Sequence, residues 1–197
     1  MSWIFLWGRC RLCSAPISVL YPFIELVTAL CLSTLFVTVP PHYFPAYFIF
    51  FSALIISIRT DLETMLISRF VTLFLLPTGI IFSAMGLLPI TYQASVAGSF
   101  FGYFLLWGVA RLFFLLTKKE GLGLGDAELL AFIGSYTGIV GCWLSLLIGS
   151  IAGSIAGIIH LWLTNSNKIP FGPFLALGSI SYVLLKPLLL RLFLGPW

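Results

Sequence analysis

Long apolar runs recur from one end of this chain to the other, and several reach the roughly 18 residues that cross about 30 Å of hydrocarbon. Runs of that kind cannot be wrapped inside a water-soluble globule of this composition. Of 197 residues, 60% are hydrophobic and 8% charged, with a mean hydropathy of +1.13. A soluble domain carries roughly 25% charged residues. The fold class that follows is all-α, a polytopic membrane protein of about seven transmembrane helices in a lipid bilayer.

Hydropathy windows predict spans at 19–39, 44–58, 70–88, 94–117, 127–137, 139–163 and 174–194. The fifth is short against the roughly 17 to 25 residues of a full crossing, so it is expected to be partial or to be flanked by protein that shortens its path. The breaks are punctuated by "PPHYFP", "LLPITYQ", "TKKEGLGLGD" and "TNSNKIPFGP", rich in the residues that interrupt helices. One membrane domain, 19–197, is expected to follow a short cytosolic or interfacial segment, 1–18. That segment carries Cys10 and Cys13, and no cleavable signal peptide is expected, because Arg9 and Arg11 follow its apolar stretch without a small-residue cleavage site.

Lysine and arginine give sidedness. With the amino terminus cytosolic, Arg9, Arg11, Arg59, Arg69, Arg111, Lys118, Lys119 and Lys168 fall near cytosolic ends, and only Lys186 and Arg191 toward the far side. The net charge of +4 therefore reads as loop topology. No nucleic-acid partner is expected, since no basic stretch alternates with aromatics. The same topology gathers Asp61, Glu63, Glu120, Asp126 and Glu128 at cytosolic helix ends, with Glu25 about a turn into the first span.

Acids at such depths are candidate working groups. Gly121, Gly123 and Gly125 alternate before Asp126, where glycine permits close backbone approach. Asp126 then opens a helix whose free N–H groups and positive dipole end favour a carboxylate. A plain glycine turn with a capping aspartate has the same spacing. In "SIRTDLETMLISRF", Asp61 and Glu63 are two apart and point to different sides of a helix. If one of them meets Asp126, two carboxyls at close range cannot both ionise and hold one proton between them. One then draws a proton from water while the other protonates a scissile carbonyl. The local pattern leaves open whether Asp61 or Glu63 is the partner. A small transporter or channel-like subunit using the acids for ions or protons, and a non-catalytic assembly protein, are the competing classes.

"GLGLGDAELLAFIG" resembles the Gly-x-Gly-Asp signature of prepilin peptidases, the bacterial membrane aspartic proteases that process type IV prepilins and pseudopilins. "CRLCSAPISVLYPFIEL", "DLETMLI" and "IPFGPFLALG" resemble three further stretches of that family, in the same order. The resemblance implies that Asp61 and Asp126 are the catalytic pair. It implies endoproteolysis at the cytoplasmic face of the bacterial inner membrane, after a glycine ending a short basic leader, with no metal for that step. Gly123, Gly125, Glu63, Pro170, Gly172 and Pro173 are then expected to bind substrate or shape loops. The chain departs from the family pattern at Ser68 and Arg69, where a proline and an acid are usual, and at Glu128, where many members carry lysine.

Larger members carry a longer amino-terminal region with a second Cys-x-x-Cys. Cys10 and Cys13 supply two of the four ligands of a closed zinc site, so no zinc is expected. Cys31 and Cys142 read as small hydrophobes. Methylation of the new pilin amino terminus from S-adenosylmethionine belongs with that longer region, and the cofactor is expected only if the activity is retained. "GSIAGSIAG", 149–157, suits close helix packing.

Overall fold

The computed structural model describes residues 3, 6–67, 69–118, 123–164 and 170–194. Ser68, Lys119, Glu120, Gly121 and Lys168 lie outside the described residues. Backbone groups in a bilayer must be satisfied within the segment, which favours helices throughout. Among the described residues there are six: α1 (Leu20–Thr38), α2 (Phe44–Thr64), α3 (Arg69–Ala84), α4 (Tyr92–Thr117), α5 (Leu124–Thr164) and α6 (Gly172–Leu194). Of these, α1, α2, α4 and α5 are long and apolar enough to cross a membrane. The chain is an all-α, multi-pass membrane protein.

Local chemistry sets the helix ends. Val39, before Pro40, is extended at ψ 133° and stops α1, as a residue ahead of proline prefers. Pro45 sits in the first turn of α2, where its missing N–H is not needed. Thr91 caps α4, its side chain accepting from the Ala94 N–H at 3.3 Å. The second predicted span, expected to stop at 58, continues helically to Thr64, with Arg59 and Glu63 paired one turn apart. The third, expected to reach 88, stops at Ala84, because Gly86 turns the chain at φ 74°.

The fifth and sixth predicted spans are two arms of α5, joined at Gly138 with φ 72° and ψ −175°. The Cys142 thiol reaches the Leu130 carbonyl at 3.8 Å. Along a straight helix those residues would be about 18 Å apart, so the arms fold back on one another. With α5 taken as two arms, the described residues form seven helical rods, and four of the six helices are long and apolar enough to cross a membrane.

The first arm, 124–137, begins three residues before its predicted start and is the centre of the molecule. Every residue from 127 to 138 is buried. Phe50 of α2 stacks on Tyr136 at 4.6 Å and leans on Phe132 at 5.4 Å. Thr78 of α3 shares a 2.6 Å hydrogen bond with the Tyr136 hydroxyl, and Ser95 of α4 donates to the Ser135 carbonyl at 2.6 Å. Gly98 and Gly134 bring α4 and this arm into backbone contact, the packing small residues allow between membrane helices. Protein surrounds this short rod, since each of its residues from 127 on is buried. Gly149 and Gly153, in the small-residue stretch, pack the second arm against Phe174 of α6.

Candidate active site

Phe50, Leu54, Ser57, Ile58 and Asp61 form one buried stripe along α2, spaced three and four apart as a helix face requires. Asp61 is its last member and only 4% exposed. Glu63 lies further round the helix and turns outward, pairing with Arg59 Nε at 3.3 Å. The Arg59 guanidinium in turn covers the Tyr21 ring of α1 at 4.7 Å. Of the two acids that the spacing left open, Asp61 faces inward and Glu63 does not.

Asp61 Oδ2 accepts a 3.0 Å hydrogen bond from the Gly172 N–H. Gly172 is the first residue of α6, so the carboxylate sits where free amides and the helix dipole favour negative charge. Pro173 follows in the same first turn and fixes φ without wasting a donor. A side-chain carbon on Gly172 would lie 2.7 Å from Asp61 Oδ2. Glycine is thus what lets the start of α6 close on the acid.

Asp126 stands in the first turn of α5, and its own N–H bonds to the Gly123 carbonyl at 3.2 Å. A backbone hydrogen bond from Gly123 reaches its carboxyl, and the Asp61 charge acts on it as well. Gly125, just before it, lies against Ile67 of the segment that follows α2. The ends of α2, α5 and α6 therefore converge on one place, with Asp61, Asp126, Gly125 and Gly172 together. Gly123 stays exposed beside Asp126, Pro170 is half-buried and Pro173 is buried at the α6 start.

Glu128 belongs to a different contact. It is 4% exposed and accepts from the Thr72 hydroxyl of α3 at 3.4 Å, two residues beyond Asp126 and on another side of the helix. Two neighbours of the site were not singled out in the sequence. Ser57 has a fully buried hydroxyl without a hydrogen-bond partner among the described residues, and its position four before Asp61 was a readable signal. Ile67 closes the "DLETMLI" stretch, where nothing in its spacing separates it from an ordinary core isoleucine.

In the amino-terminal segment Cys10 and Cys13 are free thiols. The Cys13 and Leu12 backbone N–H groups hold the Cys10 thiol below its ordinary pKa. Among the described residues no third His, Cys, Asp or Glu groups with this pair, so the donors present do not complete a tetrahedral zinc site.

Comparison with known proteins gives the arrangement a context. The model of the type IV leader peptidase family matches residues 48–158, and that of the bacterial peptidase A24 N-terminal domain matches residues 1–39. A prepilin leader peptidase/N-methyltransferase of Aeromonas hydrophila is 38% identical over 183 residues, covering 91% of this chain and 63% of the relative. The protein of that name from Burkholderia pseudomallei is 36% identical over 185 residues, 92% of this chain and 60% of the relative. A type 4 prepilin-like proteins leader peptide-processing enzyme of Escherichia coli is 33% identical over 191 residues, 95% and 70% respectively. The chain thus spans about three-fifths of the first of these curated relatives, 63% of its length. No solved structure matches it. Since the family model matches more than half of the chain, residues 48–158 with Asp61 and Asp126 among them, and the likeness to these relatives runs along nearly the whole sequence, the chain belongs to the type IV leader peptidase family.

Proposed function

We propose that the chain is a membrane aspartic endopeptidase that removes the leader of type IV prepilin-like proteins, pseudopilins included. It cuts after a glycine at the cytoplasmic face of the bacterial inner membrane. The observation that supports this reading is the convergence of the helix ends that carry Asp61 and Asp126, since Gly172 and Gly125 both lie against Ile67. Asp61 is held by the Gly172 amide, and Asp126 follows directly on Gly125.

Such a pair holds one proton. The ionised member takes a proton from water as that oxygen attacks the scissile carbonyl carbon. The protonated member gives its proton to the carbonyl oxygen, and a gem-diol forms. On collapse the C–N bond breaks. One diol proton returns to the ionised carboxyl and the other carboxyl protonates the departing amine, so the pair ends as it began. Gly123, Gly125, Pro170 and Pro173 shape the groove for an extended peptide. The membrane region 19–197 carries the site, with segment 1–18 at its cytosolic edge.

The test is cleavage of a prepilin-like peptide in detergent by the wild type, Asp61→Asn and Asp126→Asn. Each variant is expected to lose at least about a thousandfold in kcat, as when one member of a catalytic unit is removed. Full activity in either one rules out the pair. Running the assay with and without S-adenosylmethionine reads the methyltransferase activity that the relatives' names carry. That cofactor enters only if the activity is retained, and no step above is routed through it.

A further inference from the structure

Among the described residues, the Ile67 side chain, just beyond the end of α2, sits between the starts of α5 and α6. A carbon added at Gly125 would lie 3.1 Å from Ile67 Cβ, and one added at Gly172 would lie 3.1 Å from Ile67 Cδ1. Gly125 immediately precedes Asp126, and the Gly172 amide holds Asp61. Ile67 Cδ1 and Cγ1 each lie 3.7 Å from the carbon added at Gly125 as well, so one isoleucine side chain packs between the glycine that precedes Asp126 and the glycine whose amide holds Asp61.

Ile67 is delivered there by a shaped turn. Met65 adopts φ 53° and its N–H bonds to the Asp61 carbonyl at 2.9 Å. For a residue with a side chain this left-handed conformation is uncommon, and it ends α2 by reversing the chain. The Leu66 N–H then bonds to the Thr64 hydroxyl at 3.3 Å. Met65 and Leu66 stay 54% and 70% exposed, while Ile67 alone turns in to pack on the core. Its β-branch leaves few rotamers, which makes it stiff at the contact.

We propose that Ile67 is a positioning residue for the proposed peptidase, a wedge that fixes the separation of Asp61 and Asp126 by bearing on Gly172 and Gly125. The inference rests on the aspartate pair being the catalytic machinery. Ile67 touches no reacting atom. It acts by keeping two segments at the spacing one water can bridge, and reactions of positioned groups lose about a hundredfold for a 1 Å misplacement.

The test compares Ile67→Ala and Ile67→Val with the wild type on a prepilin-like peptide, well below each protein's melting temperature in detergent, with Asp61→Asn and Asp126→Asn alongside. Ile67→Ala is expected to lower kcat by about 10- to 100-fold with KM within about twofold, the split expected when binding is intact. Valine keeps Cβ, the atom nearest Gly125, and lacks Cδ1, which faces both glycines, so Ile67→Val is expected to fall between. Wild-type kcat in Ile67→Ala, a loss confined to KM, or a loss that matches the fraction of unfolded protein would each overturn the wedge. If instead either aspartate variant stays active, the peptidase reading itself has failed, whatever Ile67 does.

Discussion

At the scale of single residues, the difference between Asp61 and Glu63 is one of helix rotation. Their spacing says only that they point apart. Which one faces inward follows from the stripe of Phe50, Leu54 and Ile58, and Asp61 continues it. That stripe was hard to read in advance because nearly every neighbour is also apolar, so the α2 sequence has little amphipathic contrast to reveal its buried side. The outward acid has a modest task. Its pair with Arg59 is well exposed, 41% on either side, and such pairs contribute roughly 0.2–1 kcal/mol. Glu63→Gln is therefore expected to retain substantial cleavage activity and to shift the melting temperature only slightly. A dead Glu63→Gln enzyme beside an active Asp61→Asn would transfer the role to Glu63.

At the scale of elements, the short fifth rod was visible in the sequence and its setting was not. Hydropathy registers an apolar dozen residues; it carries no sign of the α2, α3 and α4 side chains that enclose them. The break at Gly138 has a local cause of its own. Its φ of 72° with ψ of −175° lies in a region open essentially to glycine, and other residues held in such regions cost of order 1–3 kcal/mol. Space is not the obstacle, since the nearest atom to an added carbon there is 3.8 Å away. Gly138→Ala is thus expected to destabilise the protein by about 1–3 kcal/mol through the backbone alone, seen as a lower melting temperature in detergent. Gly108→Ala, in mid-helix with nothing within 4 Å of the added carbon, is the matched control and is expected to be neutral or slightly stabilising. Equal melting temperatures for the two variants would mean that the turn does not depend on glycine.

At the scale of the whole molecule, charge and packing divide the bundle into two ends. Gly98 meets Gly134 and Gly102 meets Leu130, so α4 runs antiparallel to the first arm of α5, and its Lys118 end points the same way as the Asp126 end of that arm. The ends of α2 and α6 join there through Asp61 and Gly172. At the opposite end His42 bonds to the Gly86 carbonyl at 3.0 Å, and Gly138 lies near Ala94 and Ile90. The connecting stretches there, 40–45 and 89–93, contain no lysine or arginine. The charge division between the two ends was legible in the sequence because it depends on counting charges, whereas which acids lie close depends on packing between distant segments, and the sequence offered the pair Asp61 and Asp126 only through the family resemblance. Since positive residues mark the cytoplasmic side, the acid-bearing end is expected to face the cytoplasm. In a chain whose four native cysteines are replaced by serine or alanine, Gln93→Cys is expected to react with a membrane-impermeant maleimide in cells with a permeabilised outer membrane. Lys118→Cys is expected to react only after the inner membrane is opened. Labelling of Lys118→Cys with that membrane intact would invert the topology and put the two aspartates on the wrong side for a leader that has not yet crossed.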